Sequence, residues 1–322
     1  MPVTKSSAEP MRTDFYYESQ CGGRIHGCRW APKDAPRAVL QIVHGIAEYV
    51  ERYDDFANYL SAQGYLVVAE DHMGHGKSIS ERAPQGYFSG GWSGAVEDTC
   101  RLMKDTMQEF PDVPYVLFGH SMGSFMARTI LAKFPDSGIN AAIICGTGWQ
   151  SAAVLSAGRL ACRLICKKDG EKNPSKFLQS MAFGGYNKKV EHPRTASDWL
   201  ARNQKIVDAY EADPLCGFIP SAGLMRDMMD GIAYIQDEKN LANMKKNLPV
   251  FFIAGGDDPV GAYGKGVIQS ANAFKRQGME QVDMRIYPLC RHEILNEINK
   301  EEVYKDVAGW LETAVKKADP VA

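Results

Sequence analysis

Ser121, His292 and the adjacent acids Asp257 and Asp258 are the residues whose types and order could together do chemistry. Ser121 is the centre of Gly119-His120-Ser121-Met122-Gly123. A Gly-x-Ser-x-Gly run suits a sharp strand-to-helix turn, because the glycines tolerate the crowding that lifts the serine clear of a sheet. The helix that opens there aims backbone N–H groups and its positive dipole end at the same spot. By chance alone the five-residue pattern arises in about one chain in ten of this length. Here the apolar run Tyr115-Val116-Leu117-Phe118 leads into it, and a helical pattern leaves it, stopping at Pro135. That strand-turn-helix setting is the one the turn requires. A serine hydroxyl is a weak nucleophile until a base takes its proton, and the base needs an acid to orient it. The chemistry such a set supports is acyl transfer through a covalent intermediate.

After such a turn the acid and then the base follow in chain order. Of the seven histidines only His192 and His292 lie beyond Ser121. His192 precedes Pro193 in a stretch that reads as a solvated loop, whereas His292 follows the last strand-like run, where a base can reach back over the sheet. The acid should lie just after a late strand, and Gly255-Gly256-Asp257-Asp258-Pro259 offers two. Their side chains point apart, so only one faces the base. The spacing from Gly255 and the stiffening by Pro259 favour Asp258, with Asp257 as the alternative. Acyl transfer also needs N–H donors for the developing oxyanion. The residue after the nucleophile, Met122, supplies one; Ile46, in Val43-His44-Gly45-Ile46 after an early strand, supplies the other. His44 reads as a loop-bonding residue. Asp71-His72-Met73-Gly74-His75-Gly76-Lys77-Ser78 lacks the glycine spacing of a phosphate loop and a third metal ligand, and reads as a structural turn.

These residues need a sheet to carry them. Short apolar runs at Ala38–Val43, Tyr65–Ala69, Tyr115–Phe118 and Ala141–Cys145 alternate with helical patterns, which predicts a mainly parallel sheet flanked by helices. Tyr53, Phe56, Ala57 and Leu60 fall at helical spacing, and Gly64 ends that helix. From about Gln150 to Asn240 only helical patterns occur. Strand logic returns at Pro249–Ala254 and Met284–Tyr287, and a last helix is expected from Glu301 to Lys317. The expected organisation is one α/β core, residues 1–148 and 241–322, with a helical cap inserted at 149–240. The chain of 322 residues has 45% hydrophobic and 24% charged residues, enough to bury a core without staples. A net charge of −2 excludes a nucleic-acid reader, which needs a basic face. Eight cysteines form no Cys-x-x-Cys pair, and Cys162 and Cys166, on one helical face, read as core fillers. Neither a signal-peptide stretch nor an apolar run of membrane length occurs, so a reducing cytoplasm is the expected compartment.

The sequence resembles the monoacylglycerol lipase and lysophospholipase branch of the α/β-hydrolases, with the character of a bacterial member. The matching segments are His44-Gly45-Ile46-Ala47-Glu48 with Arg52-Tyr53, Asp71 to Gly76, Gly119 to Gly123, Gly255 to Val260, and His292 to Glu297. The resemblance implies an α/β-hydrolase fold with an inserted cap and a Ser121–Asp258–His292 triad. It implies no cofactor and no metal, and a small acyl-ester or lipid substrate. It also makes Glu48 and Arg52 headgroup contacts, against the plainer reading of a helix-start acid and a salt-bridge partner. Asp213 to Phe218 resembles a bacterial cap segment, and Leu295 stands where animal glyceride lipases carry a second histidine. Met225, Met228 and Met229 read equally as an acyl-chain pocket or as core. The Arg/Lys-flanked helix around Leu155 to Ile165 packs on the core or touches a membrane surface transiently. The expected activity is hydrolysis of carboxylic esters of acyl lipids. An amidase, peptidase or acyltransferase would use the same triad, and a binding protein on this scaffold would have lost part of it.

Overall fold

The computed structural model describes residues 11–316; the amino-terminal start read for a leader, and Lys317, lie outside them. Eight strands form one sheet: β1 (Met11–Glu18), β2 (Arg24–Ala31), β3 (Ala38–Val43), β4 (Tyr65–Glu70), β5 (Tyr115–His120), β6 (Ala141–Cys145), β7 (Val250–Gly255) and β8 (Val282–Tyr287). Their order is β1-β2-β4-β3-β5-β6-β7-β8. β1 and β2 pair antiparallel at one edge, and β3 to β8 are mutually parallel.

Every residue of β3, β4, β5, β6 and β7 is buried. Helices covering both faces cause this, and it is why those strands read as nearly continuous apolar runs. On one face lie α1 (Asp54–Ser61) and α10 (Lys300–Lys316), packing Phe56, Leu60, Val307 and Leu311 against Val67, Phe118 and Ile143. On the other lie α2 (Gly91–Glu109), α3 (Met122–Lys133) and α9 (Lys265–Arg276), with Val96, Met126, Ile130 and Phe274 against Val68, Leu117 and Phe252.

Between β6 and β7 the chain forms α4 (Ala152–Asp169), α5 (Lys176–Phe183), α6 (Gln204–Ala212), α7 (Ala222–Tyr234) and the single turn α8 (Glu238–Leu241). Ser151, Ser175 and Ser221 cap α4, α5 and α7 by accepting the N–H of the third residue on. The segment adds no strand to the sheet. α7 packs on α4 and also on α2 and α3. Met225, Met228 and Met229 are therefore core: they are buried in the cluster shared with α2 and α3. Arg128, buried on α3, fastens the base of this region through hydrogen bonds to Thr147 Oγ1, Gly148 O and Ile235 O at 3.1–3.3 Å.

Candidate active site

β5 ends at His120, and Ser121 adopts φ 54°, ψ −121° before α3 begins at Met122. A non-glycine residue at positive φ is strained, and the strain lies at the turn the sequence singles out. A Cβ on Gly119 would stand 2.4 Å from Gly123 O, and one on Gly123 would stand 2.0 Å from Val43 O. Only glycine lets α3 descend this steeply against β5 and β3. The Met122 N–H, in the first turn of α3, has no intrahelical acceptor. Gly45 brings the loop after β3 against the same turn: a Cβ there would lie 3.0 Å from Ser121 Cβ and 2.5 Å from Glu48 Oε1. Ile46, next along, lines the cavity that Ser121 faces.

The candidate acid and base come from the loops after β7 and β8. Gly255 allows their approach, since a Cβ there would meet Cys290 O and Arg291 O at 2.1 Å. Asp258 is fully buried; its Oδ2 lies 3.0 Å from His292 Nδ1, and its Oδ1 accepts the Val260 N–H at 2.8 Å. Asp257 is exposed. His192 is exposed in a loop, as the sequence suggests. The His292 ring lies between His120 and Trp199, with centroids 4.8 and 5.2 Å away. Trp199 belongs to the segment before α6, which clamps the histidine loop. Trp199 O and Leu200 O accept the N–H groups of His292 and Glu293 at 3.4 and 2.7 Å. Arg291 donates to Asp198 O at 2.6 Å, and Arg202 pairs with Glu297 at 2.9 Å. Nothing local in the sequence marks this clamp, because its partners lie about ninety residues apart.

Glu48 and Arg52 separate here. Glu48 is buried at the cavity wall. Its Oε1 accepts from Gly45 N, Tyr53 OH and His120 Nδ1 at 2.6, 2.9 and 3.1 Å. Burial alone would raise this carboxyl's pKa, but the His120 hydrogen bond and the nearby positive charges hold it well below the usual range. The same pairing raises the pKa of His120 against its burial. Arg52 does not line the cavity. Its guanidinium grips Glu293 with two bonds of 2.7 Å and Glu48 with one of 2.9 Å. The plainer reading of Arg52, a salt-bridge partner, is the one the geometry supports. Removing one partner of a buried pair strands the other charge. Arg52→Ala should therefore destabilise the fold by about 3–5 kcal/mol, measured by urea unfolding. If it instead raised KM with unchanged stability, a direct substrate contact would be the better account.

His44, His72 and His75 are scaffolding. His44 Nε2 accepts the His72 N–H at 3.0 Å, and its Nδ1 lies 2.7 Å from Gly45 O. Burial pushes the pKa values of all three down, that of His75 to about 3, so they stay neutral. Asp71 turns its loop by accepting the N–H groups of Val50 and Lys77, each at 2.9 Å. The Asp213 to Phe218 segment docks on the Gly45 loop, with Gly217 N–H bonded to Ala47 O at 3.0 Å and Tyr49 OH to Asp213 at 2.7 Å. Leu295 is packed in the core. The cavity over Ser121 and His292 encloses about 470 Å³, and Phe183, Trp199, Leu200, Tyr210 and Phe218 supply apolar wall.

The family described as serine aminopeptidase S33, a hydrolase family, matches residues 34–299. The chain belongs to this family. This S33-family hydrolase is 28% identical over 302 residues to a monoacylglycerol lipase of Mycolicibacterium smegmatis, covering 93% of this chain and 97% of the relative. It is 29% identical over 296 residues to the monoglyceride lipase of Mus musculus, covering 86% of each. Among solved structures it is similar to a thermostable carboxyl esterase from Bacillus coagulans in complex with glycerol. That match has a TM-score of 0.88 and 27% identity, and covers 94% of this chain and 99% of the other.

Proposed function

We propose that the chain hydrolyses carboxylic esters of acyl lipids, of monoacylglycerol or lysophospholipid type, through an acyl-enzyme. The observation that carries this reading is the buried Asp258–His292 pair opening onto one apolar-walled cavity with the strained Ser121. Ser121 Oγ attacks the ester carbonyl while His292 Nε2 takes its proton, and Asp258 holds Nδ1–H and the cation that forms. The N–H groups of Ile46 and Met122 hold the oxyanion. His292 returns the proton to the leaving alcohol, then activates water to release the acid. Glu48 stands at the wall where a polar headgroup would rest. The relatives named for glyceride lipases support an ester of glycerol.

The segment 149–240 is the cap in this reading, with 1–148 and 241–322 the core. Gln179, Ser180 and Phe183 on α5 line the cavity, while Phe177 and Met181 are 62% and 47% exposed. Leu160 and Leu164 on α4, each 59% exposed, are two further outward apolar side chains. Exposed Lys167, Lys168 and Lys176 flank them. Such side chains suit transient seating on an anionic lipid surface, delivering substrate beside α5. No helix among the described residues is long and apolar enough to cross a membrane.

Turnover of a monoacylglycerol, a lysophospholipid, an acyl amide and an aminoacyl anilide, with and without acceptor alcohols, tests the reaction. Faster ester hydrolysis is expected; faster anilide cleavage would favour the peptidase reading. With Leu160→Ser and Phe177→Ser combined, hydrolysis of vesicle-borne monoacylglycerol should fall while that of a dispersed short-chain ester holds. Equal loss on both would remove the lipid-surface role.

A further inference from the structure

A cluster of metal-ligating side chains lies apart from the cavity, on the β1–β2 hairpin. Asp14 and Cys28 are directly paired across the hairpin, and His26 lies two residues from Cys28 on the same face. His26 Nε2 is 3.2 Å from Asp14 Oδ2 and 3.8 Å from Cys28 Sγ, and Cys28 Sγ is 3.6 Å from Asp14 Oδ1. Zinc bonds of about 2.0–2.3 Å to N, O and S imply tetrahedral edges of roughly 3.3–3.5 Å; the Nε2–Oδ2 and Nε2–Sγ separations lie within a few tenths of an ångström of that, and one Oδ, Nε2 and Sγ all lie within 4.8 Å of one another.

The placement of His26 is the second, independent sign. Its backbone N–H donates to Ser78 Oγ at 2.9 Å, and its C=O accepts the Asp71 N–H at 2.8 Å. Its Nδ1 lies 2.7 Å from Asp71 Oδ2, both side chains being fully buried. A carboxylate that holds Nδ1–H fixes the ring so that Nε2 faces Asp14 Oδ2 and Cys28 Sγ, the arrangement that orients metal-bound histidines; without an ion, Asp14 accepts the Nε2 proton. The charge balance also permits a cation. Arg12 and Lys77 lie against Asp14, at 3.4 and 3.1 Å, but both also contact Glu51, and Asp54 and Asp71 border the cluster. The Asp14 side chain is one-third exposed, which leaves a way in from solvent.

We propose that Asp14, His26 and Cys28 form a site for one divalent transition ion of zinc type. The ion exchanges three hydration waters for Oδ, Nε2 and Sγ, and the thiol proton and the Nε2 proton held by Asp14 leave to solvent as the Sγ–zinc and Nε2–zinc bonds form. Mixed oxygen, nitrogen and sulfur donors select such an ion over magnesium or calcium. Because Asp71 also accepts the Val50 N–H, a bound ion would brace the turn that follows the Gly45 loop.

The full chain, stripped with a chelator, is titrated with Zn²⁺ by calorimetry and with Co²⁺ by absorption. One equivalent of each should bind, the cobalt form should show a thiolate charge-transfer band in the near ultraviolet, and zinc should raise the Tm. Cys28→Ser, nearly isosteric, should abolish the band and the Tm rise. It should also weaken zinc by more than the roughly 100-fold that marks loss of an outer-shell partner. Asp14→Asn should weaken zinc while leaving the band. No stoichiometric zinc in the wild type, a cobalt spectrum without the band, or equal affinity in Cys28→Ser would each overturn the assignment. The last would place the ion elsewhere, at His292 for example.

Discussion

Ser121→Ala is expected to lower kcat for a p-nitrophenyl ester by roughly 10⁶-fold, the scale of losing the nucleophile of a serine hydrolase, with little change in Tm. Both halves of that expectation rest on local geometry. Ser121 precedes α3 without making a side-chain capping bond, so deleting the hydroxyl costs the helix no cap. Alanine keeps a Cβ at the same φ of 54°, so the strain of the turn is unchanged rather than relieved. A fluorophosphonate probe should form a covalent adduct on Ser121 in the wild type and none in the variant. Retained turnover in the variant would sink the assignment of Ser121. A wild type that neither labels nor turns over any acyl ester would favour a binding protein on this scaffold.

Much of the platform under Ser121 was legible because burial on both faces leaves a plain mark. β3 to β7 are covered by helices on each side, and their runs are apolar at nearly every position. The edge hairpin was not legible. β1 and β2 interleave Arg12, Asp14, Arg24, His26 and Arg29 with apolar residues, and their charges are matched by partners distant in sequence, such as Glu51 and Glu109. Gly22-Gly23 was the one local sign of the turn, and both glycines take positive φ. α9 leaves a similarly weak mark in the sequence. It is amphipathic, but Lys265, Lys275 and Arg276 crowd its ends and its apolar stripe is short.

The site divides along the same line. Ser121, His292 and Ile46 could be placed because each follows a readable strand. Trp199, Arg202 and Glu297 could not, since their pairing with the His292 loop exists only once the inserted segment folds back over the sheet. Arg52 is the opposite case. A motif residue near the expected headgroup invites a substrate role, yet three short bonds to Glu48 and Glu293 already occupy its guanidinium. Spacing locates such a residue without saying which way its charge is used.

The two adjacent acids give the sharpest contrast available by mutation. Asp258→Asn should lower kcat by about 10⁴-fold, the cost of holding the base in the wrong tautomer, whereas Asp257→Asn should stay near the wild type. The argument runs through the hydrogen bonds of one carboxylate. Asp258 Oδ1 accepts the Val260 N–H at 2.8 Å, and only a carbonyl oxygen can keep that bond in the variant. The asparagine amide nitrogen is then forced to the Oδ2 position, 3.0 Å from His292 Nδ1. An N–H donor there makes Nδ1 the acceptor and puts the ring proton on Nε2, the atom that takes the proton from Ser121 in the proposed mechanism. The turn stays folded, since both of its hydrogen bonds survive, so Tm should change little while kcat collapses. Asp257, exposed on the same turn, donates its N–H to Cys290 O at 2.9 Å, a backbone bond that asparagine keeps. Steady-state kinetics on the two variants, with Tm measured alongside, decide between them; a large loss in Asp257→Asn with Asp258→Asn intact would move the orienting role one residue back.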